Sequence, residues 1–533
     1  MKLRLLFLAL AVTFCSSTLW CDEHHEHFSP NEKLGTVSFP TSCSPAAQKS
    51  FERGVALLHS FWYDEAEKQF KEVSENDPHC AMAYWGEAMS LYHQLWSRPT
   101  AADLAQGAGL MKKAKAAKPK TQREREYVEA MATFYRDPKL DYEKRADAYA
   151  AAMQTVYEHN PGDHEAAAFY GLSLLASEPD EDLTLANPKK AIAILNKLYA
   201  EEPDHPGVAH YLIHACDNPQ LAEQGLAAAR RYASIAPSSA HALHMPSHIF
   251  ARLGLWQEDI QSNLASIASS QKSAGENKVH SLHAMDFLEY AYLQVGENSK
   301  AKSLVDEVAT MQKPAADSPM DREMQRYYVY TRAHFAALYY LETRQWKEAI
   351  SLEPPTDAPS TVRAITYLAH AIAAGHLRDL PSAKKAVEQY NAMVEETAKD
   401  RPYAATGMKT GADEARAWLA FAEAKNEEAI GLLRPLANKQ DVLGKGEVEI
   451  PARELLADML LEMDRPQEAL MEYERSLKTD PNRFNGLYGA GRAAELAHEP
   501  EKARTFYAQL IKNCGDSTER PELAKARTEL AEK

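Results

Sequence analysis

Residues Pro451–Tyr507 read PARELLADMLLEMDRPQEALMEYERSLKTDPNRFNGLYGAGRAAELAHEPEKARTFY. Leu456, Ala457 and Leu460 recur at helical spacing, Ala469 and Tyr473 lie four apart, and Pro481 follows Ala469 by twelve residues. Ala503 comes 34 residues after Ala469, and Gly491, Ala503 and Tyr507 repeat the earlier pattern. A small residue every turn or two lets antiparallel helices approach, an aromatic ring fills the remaining gap, and proline closes the second helix. A unit of this size cannot bury its own apolar face, so it stacks on copies of itself. The same Ala-to-Pro spacing of twelve recurs at Ala66 and Pro78, with Gly54, Leu57 and Phe70 in step, and at Ala191 and Pro203. Strand signals are nearly absent. The expected fold is all-α: an extended, curved right-handed α-solenoid of antiparallel helical hairpins.

This pattern resembles the tetratricopeptide repeat family, firmly at 45–80 and 451–515 and in degenerate form through 188–312, where Gly254, Gly296, Ala222 and Ala301 fall in register. It is weaker from 321 to 437, although Trp346, Ala349, Ala383 and Ala429 suggest further hairpins. The words LLHSFWYDEA, CAMAYWGEAM, HYLIHACDNP, HALHMPSHIFARLG and PARELLADMLLE also resemble a group of exported bacterial tetratricopeptide proteins. The resemblance implies a shared scaffold and carries over no reaction or ligand. The expected organisation is a signal peptide at 1–21, a flexible histidine-containing segment at 22–44, and an array with a histidine-rich groove at 45–320. Degenerate hairpins and a linker follow at 321–450, and C-terminal repeats at 451–533.

At 533 residues the chain is long for one compact core, and 45% hydrophobic with 26% charged residues is ordinary for a soluble globular protein. The net charge of −16 is spread out, and the densest basic run, Lys112 to Arg125, is short and interrupted. Nucleic acid is therefore not an expected partner. Lys2 and Arg4 precede an apolar run from Leu5 to Phe14 that is too short to span a bilayer. An exported protein, periplasmic or secreted and without a transmembrane anchor, is expected. In an oxidising compartment Cys43 and Cys80 are the natural disulfide pair, since the segment between them reads as a hairpin that returns the chain. Two buried thiols are the alternative. Cys216 and Cys514 read as small buried hydrophobes.

Eight of the twenty histidines fall between His205 and His283, in HPGVAHYLIHACD, HALHMPSHIF and HSLHAMD. With Asp217, Gly254 and Gly296 taken as equivalent turns, His241 aligns with His283, His244 with Asp286, and His248 with Tyr290. Steps of three and four put His241, His244 and His248 on one helical stripe, and His210 with His214 on another. In tetratricopeptide arrays, the resemblance implies, such first-helix positions line the concave groove, as does His59 in the first hairpin. The preferred ligand set is three or four of His210, His214, His244, His248, His283 and Asp286, with His241, Tyr290 and His59 as further groove candidates. A nitrogen-rich set with a carboxylate suits one Zn²⁺, Cu²⁺, Ni²⁺ or Fe²⁺ ion rather than Ca²⁺ or Mg²⁺.

Three uses of this wall stay open: a metal site, a groove for a protein, peptide or anionic ligand, and plain packing. A metal-dependent enzyme, with Asp286 or Glu289 moving a proton, is the alternative to a binding protein; a metal-free interaction scaffold is a third reading. HExxH, CxxC, GxSxG and phosphate-loop signatures are absent, and nothing marks Ser247 as a nucleophile. His93, Trp85 and Trp96 read as an aromatic patch that is either core or a stacking surface. The tract DEHHEH, with His24, His25 and His27, is a second metal candidate or a solvated tail.

Overall fold

The hairpins of Pro451–Tyr507 form as the spacing dictates. In the computed structural model, Ala452–Glu462 pairs with Pro466–Thr479, and Phe484–Leu496 with Pro500–Cys514. Proline opens each second helix, where its missing N–H costs nothing. The close approach is literal: a Cβ on Gly491 would stand 2.4 Å from the Tyr507 ring, and one on Gly54 would stand 2.7 Å from Phe70. The structure describes residues 32–95, 98–179, 181–271, 276–314, 319–446 and 448–531. Among these residues every regular element is a helix, from Pro45–His59 to Pro521–Ala531, and none is long and apolar enough to cross a membrane. The proposed signal peptide and the His24, His25 and His27 tract lie outside the described residues.

One backbone device recurs at the hairpin turns. Phe61, Gly254, Gly296, Arg344, Arg378, Ala424, Asp464 and His498 all have positive φ, between 51° and 73°. After each, the next residue's N–H reaches back five residues to a helical carbonyl, as from Trp62 to Leu57 (3.0 Å), Leu255 to Phe250 (2.8 Å) and Lys425 to Ala420 (2.9 Å). This closure satisfies carbonyls that the first helix leaves without partners, and it turns the chain sharply. Gly254 and Gly296 conform to the turn register read from the sequence. Asp217 does not: its φ is −73°, and Asn218 N–H closes onto the Cys216 carbonyl at 2.7 Å instead. That turn is rebuilt so that its carboxylate points inward, as described below.

The array is wound upon itself rather than extended. At the first turn, Tyr211 hydroxyl meets His59 Nδ1 at 2.9 Å, and the His59 carbonyl accepts from His210 Nδ1 at 2.6 Å. Near the other end, Trp256 Nε1 donates to the Asn482 carbonyl (2.8 Å), and Phe484 N–H donates to Gln294 Oε1 (3.0 Å). In the stretch from 439 to 451, read as a linker between arrays, Val442, Lys445 and Glu449 lie against both. Val442 accepts from Asn218 Nδ2 (2.6 Å), Lys445 from the Arg252 guanidinium (3.3 Å) and Glu449 from the Tyr290 hydroxyl (3.2 Å). Side chains of one superhelical turn thus satisfy carbonyls of another, which an extended array would leave to water. Cys43 and Cys80 are joined by a disulfide that closes the base of the first hairpin.

Candidate metal centre

Three segments bring the histidines together. Helix Pro206–Cys216 carries His210 and His214 one turn apart, and helix Glu276–Gln294 carries His280 and His283. Between them lies HALHMPSH, where Pro246 has no N–H to continue a helix; the segment divides into Ala240–His244 and Pro246–Arg252. The expected single stripe therefore splits. His241 turns to His210 and His214, while His244 and His248 turn to His283, giving two groups whose donor atoms all lie within 4.8 Å of one another.

In the first group, His210 Nε2 stands 3.0 Å from both His214 Nε2 and His241 Nε2. In the second, His244 Nε2 is 3.1 Å from His248 Nε2. Nitrogen ligands on a tetrahedral ion with bonds of about 2.0 Å are separated by roughly 3.3 Å, so both spacings lie close to a coordination edge.

The opposite ring nitrogens decide which atoms carry protons. His210 Nδ1–H donates to the His59 carbonyl, and His248 Nδ1–H donates to Asp217 Oδ2 at 2.9 Å. His244 Nδ1–H donates to Asn263 Oδ1 at 2.7 Å; Asn263 is fixed in that sense because its amide nitrogen donates to Asp259. In its neutral form each of these rings therefore presents a lone pair at Nε2. At His244 and His248 two such lone pairs face each other at 3.1 Å, a repulsive arrangement unless a cation or an extra proton lies between them. At His210 one in-plane lone pair faces two neighbouring nitrogens, only one of which can donate into it.

Extra protons are unfavourable at His210, His214, His241 and His244. Burial holds His210, His241 and His244 well below the ordinary imidazole range, and the neighbouring histidines add to the effect. His214 is pushed down to about 3 by burial and by His248, with Asp217 opposing. Asp217 itself is held far below the usual carboxylate range: burial acts against this, but Arg252 (2.8 Å) and His248 outweigh it.

Aromatic rings wall the groups. Phe61 stands 4.3 Å from His210 and 5.4 Å from His214, Tyr232 stacks on His210, and Phe287 lies 4.6 Å from His248. The histidines are thus not on an open groove: His210, His241, His244 and His248 are buried, and only His214 and His283 are partly exposed.

His59, Glu165 and His205 form a third group of different character. His205 Nδ1 accepts the Val208 N–H that starts its helix (3.3 Å), so its proton sits on Nε2 and points at Glu165 Oε1 at 3.1 Å. His59 Nε2 approaches the other Glu165 oxygen at 2.8 Å. Protons satisfy this network, which joins three helices without calling for an ion. Other candidates stand apart from the two triads. Asp286 accepts from His334 Nδ1 at 2.9 Å and belongs to neither group. Tyr290 is buried against Arg483 and the Glu449 carbonyl, and Glu289 is a buried carboxyl that burial holds well above its usual range. Trp85 is core, packed against Phe39, Tyr127 and Phe169; His93 stacks on Tyr63, and Trp96 is outside the described residues. Ser247 Oγ lies 3.3 Å from His244 Nδ1 and from Asn263 Oδ1, as a supporting hydroxyl.

Sequence reading missed Phe61, Asn263 and Glu165, counted His205 and His280 in the cluster without giving either a role, and used Asp217 only as a turn marker. Phe61 carried a signal, since it fills a turn register that favours glycine.

No protein-family model and no curated protein matches the sequence. Among solved structures, the human IFIT1 dimer with m7Gppp-AAAA is similar at 13% identity and TM-score 0.35, over 90% of this chain and 92% of that one. The Cut9–Hcn1 hetero-tetramer of the APC/C is similar at 11% identity and TM-score 0.32, over 90% of each chain. The P58(IPK) TPR domain is similar at 14% identity and TM-score 0.20, over 91% of this chain and 98% of that one. The fold itself is plain from the hairpins described above. The chain is a tetratricopeptide-like solenoid. This solenoid encloses two histidine triads.

Proposed function

We propose that this solenoid is an exported metal-binding protein that holds a transition metal on its histidine triads. One observation carries the reading. His244 and His248 have Nδ1 committed to fixed acceptors, so their Nε2 atoms face each other at 3.1 Å, and His210, held in the same way, turns its Nε2 to those of His214 and His241. Carbonyl, amide and carboxylate acceptors behind ligating imidazoles are how metal sites fix tautomer and ring direction. Imidazole-only donors suit zinc, copper, nickel or iron and disfavour calcium and magnesium. The Cys43–Cys80 disulfide supports an oxidising compartment and hence export.

The test is elemental analysis of the full chain, purified without an affinity tag and reconstituted with zinc or cuprous ion. His24→Ala, His25→Ala and His27→Ala are made together first, so that the N-terminal tract does not contribute. At least one equivalent should be retained through a desalting column, and adding His210→Ala with His248→Ala should abolish it. Retention below a tenth of an equivalent overturns the reading, whatever the variants do.

A further inference from the structure

We propose that the two triads form one centre for two copper ions, with His210, His214 and His241 holding one and His244, His248 and His283 the other. The inference rests on the metal-binding reading above and adds the number, identity and mutual proximity of the ions. Proximity follows from the rings that face each other across the groups: His214 and His248 have centroids 6.3 Å apart, and His241 and His244 have centroids 6.4 Å apart. One kinked segment supplies ligands to both, so neither half can move without the other. Three imidazoles per ion leave each position short of a full tetrahedron, which is the condition for an added ligand. The partly exposed rings are His214 and His283, one in each triad, so solvent approaches both halves.

Charge selects the ion. All six donors are imidazoles, which ligate a metal as neutral rings, and neither triad contains a carboxylate. Asp217, directly behind them, is matched by Arg252. Two dipositive ions side by side would place four positive charges among buried rings, which is costly in a poorly solvated site. Two cuprous ions halve that charge and accept three nitrogen donors without further ligands. Copper also heads the affinity order for nitrogen sites.

The experiment titrates the tag-free full chain, with His24, His25 and His27 replaced by alanine, with cuprous ion under argon against a cuprous chelator. Two equivalents should be retained, with His214→Ala and His283→Ala each keeping one. One-electron oxidation of each ion by ferricyanide should give a cupric EPR spectrum that is broadened or diminished by the neighbouring spin. In either single variant it should sharpen to an ordinary one-spin signal. One equivalent, lost completely in both variants, would overturn the pair and leave the metal-binding reading standing. Two equivalents with a sharp, full-intensity two-spin spectrum would overturn the shared centre. Failure to retain any copper or zinc would overturn both readings.

Discussion

Asp217 shows how much one side chain can decide. It sits where other hairpins place glycine or another left-handed residue, yet its backbone stays at negative φ and its carboxylate bridges Arg252 and His248. Asp217→Asn keeps the shape and removes the charge. Metal affinity should fall by about 10–100-fold, read by chelator competition, because the outer acceptor orients the ring and raises its basicity. His280 gives a second prediction. It is buried beside His241, and burial together with His283 pushes it down to about 3 from 6.5. A group neutral in the folded chain but ready to protonate in the unfolded chain contributes stability above pH 6.5. That contribution is lost as pH falls from 6.5 toward 3. Metal-free protein should therefore weaken by about 1.4 kcal/mol per pH unit on this residue's account. Urea unfolding with chelator present should show a shallower acid slope for His280→Gln, and an unchanged slope would refute the assignment.

At the scale of helices and turns, the hairpin pattern was legible because it is local: small residue, aromatic and proline fall at fixed offsets within one unit. The stripe of His241, His244 and His248 was legible as a face but not as two groups, because Pro246 divides the segment and turns its ends apart. The turn register is itself testable. Ala424 holds φ of 59° at an exposed turn, a conformation that costs a residue with a Cβ about 1 kcal/mol. Ala424→Gly should raise stability by about 0.5–1 kcal/mol in urea unfolding, the relief outweighing the entropy that glycine adds to the unfolded chain. A loss of stability there would mean that the left-handed turn is not a shared constraint.

For the molecule as a whole, what stayed hidden was contact between superhelical turns. Nothing in HSFWY announces that the His59 carbonyl and the Phe61 ring meet His210 some 150 residues later. Nor does PNRFN announce the buried junction at Arg483. There the guanidinium takes both Glu454 oxygens at 2.8 Å, Glu342 at 2.7 Å and the Tyr290 hydroxyl, with arginine and both glutamates about 1% exposed. Such partners come from separate hairpins, and charge spacing along a sequence does not reveal them. Arg483→Ala leaves two carboxylates buried without their cation. It should cost about 3–5 kcal/mol, measured by denaturant unfolding, and pairing it with Glu342→Gln and Glu454→Gln should recover part of the loss.

The bond between Cys43 and Cys80 reaches further than its own corner. It closes a loop of 37 residues, a constraint worth about 4 kcal/mol in chain entropy, and the loop it closes carries the carbonyl and ring that brace His210. Chain produced in a reducing cytosol would lack that clasp. Its imidazoles would all be present while the hairpin that aims one of them was free to loosen, so the oxidation history of a preparation governs how firmly its ions are kept.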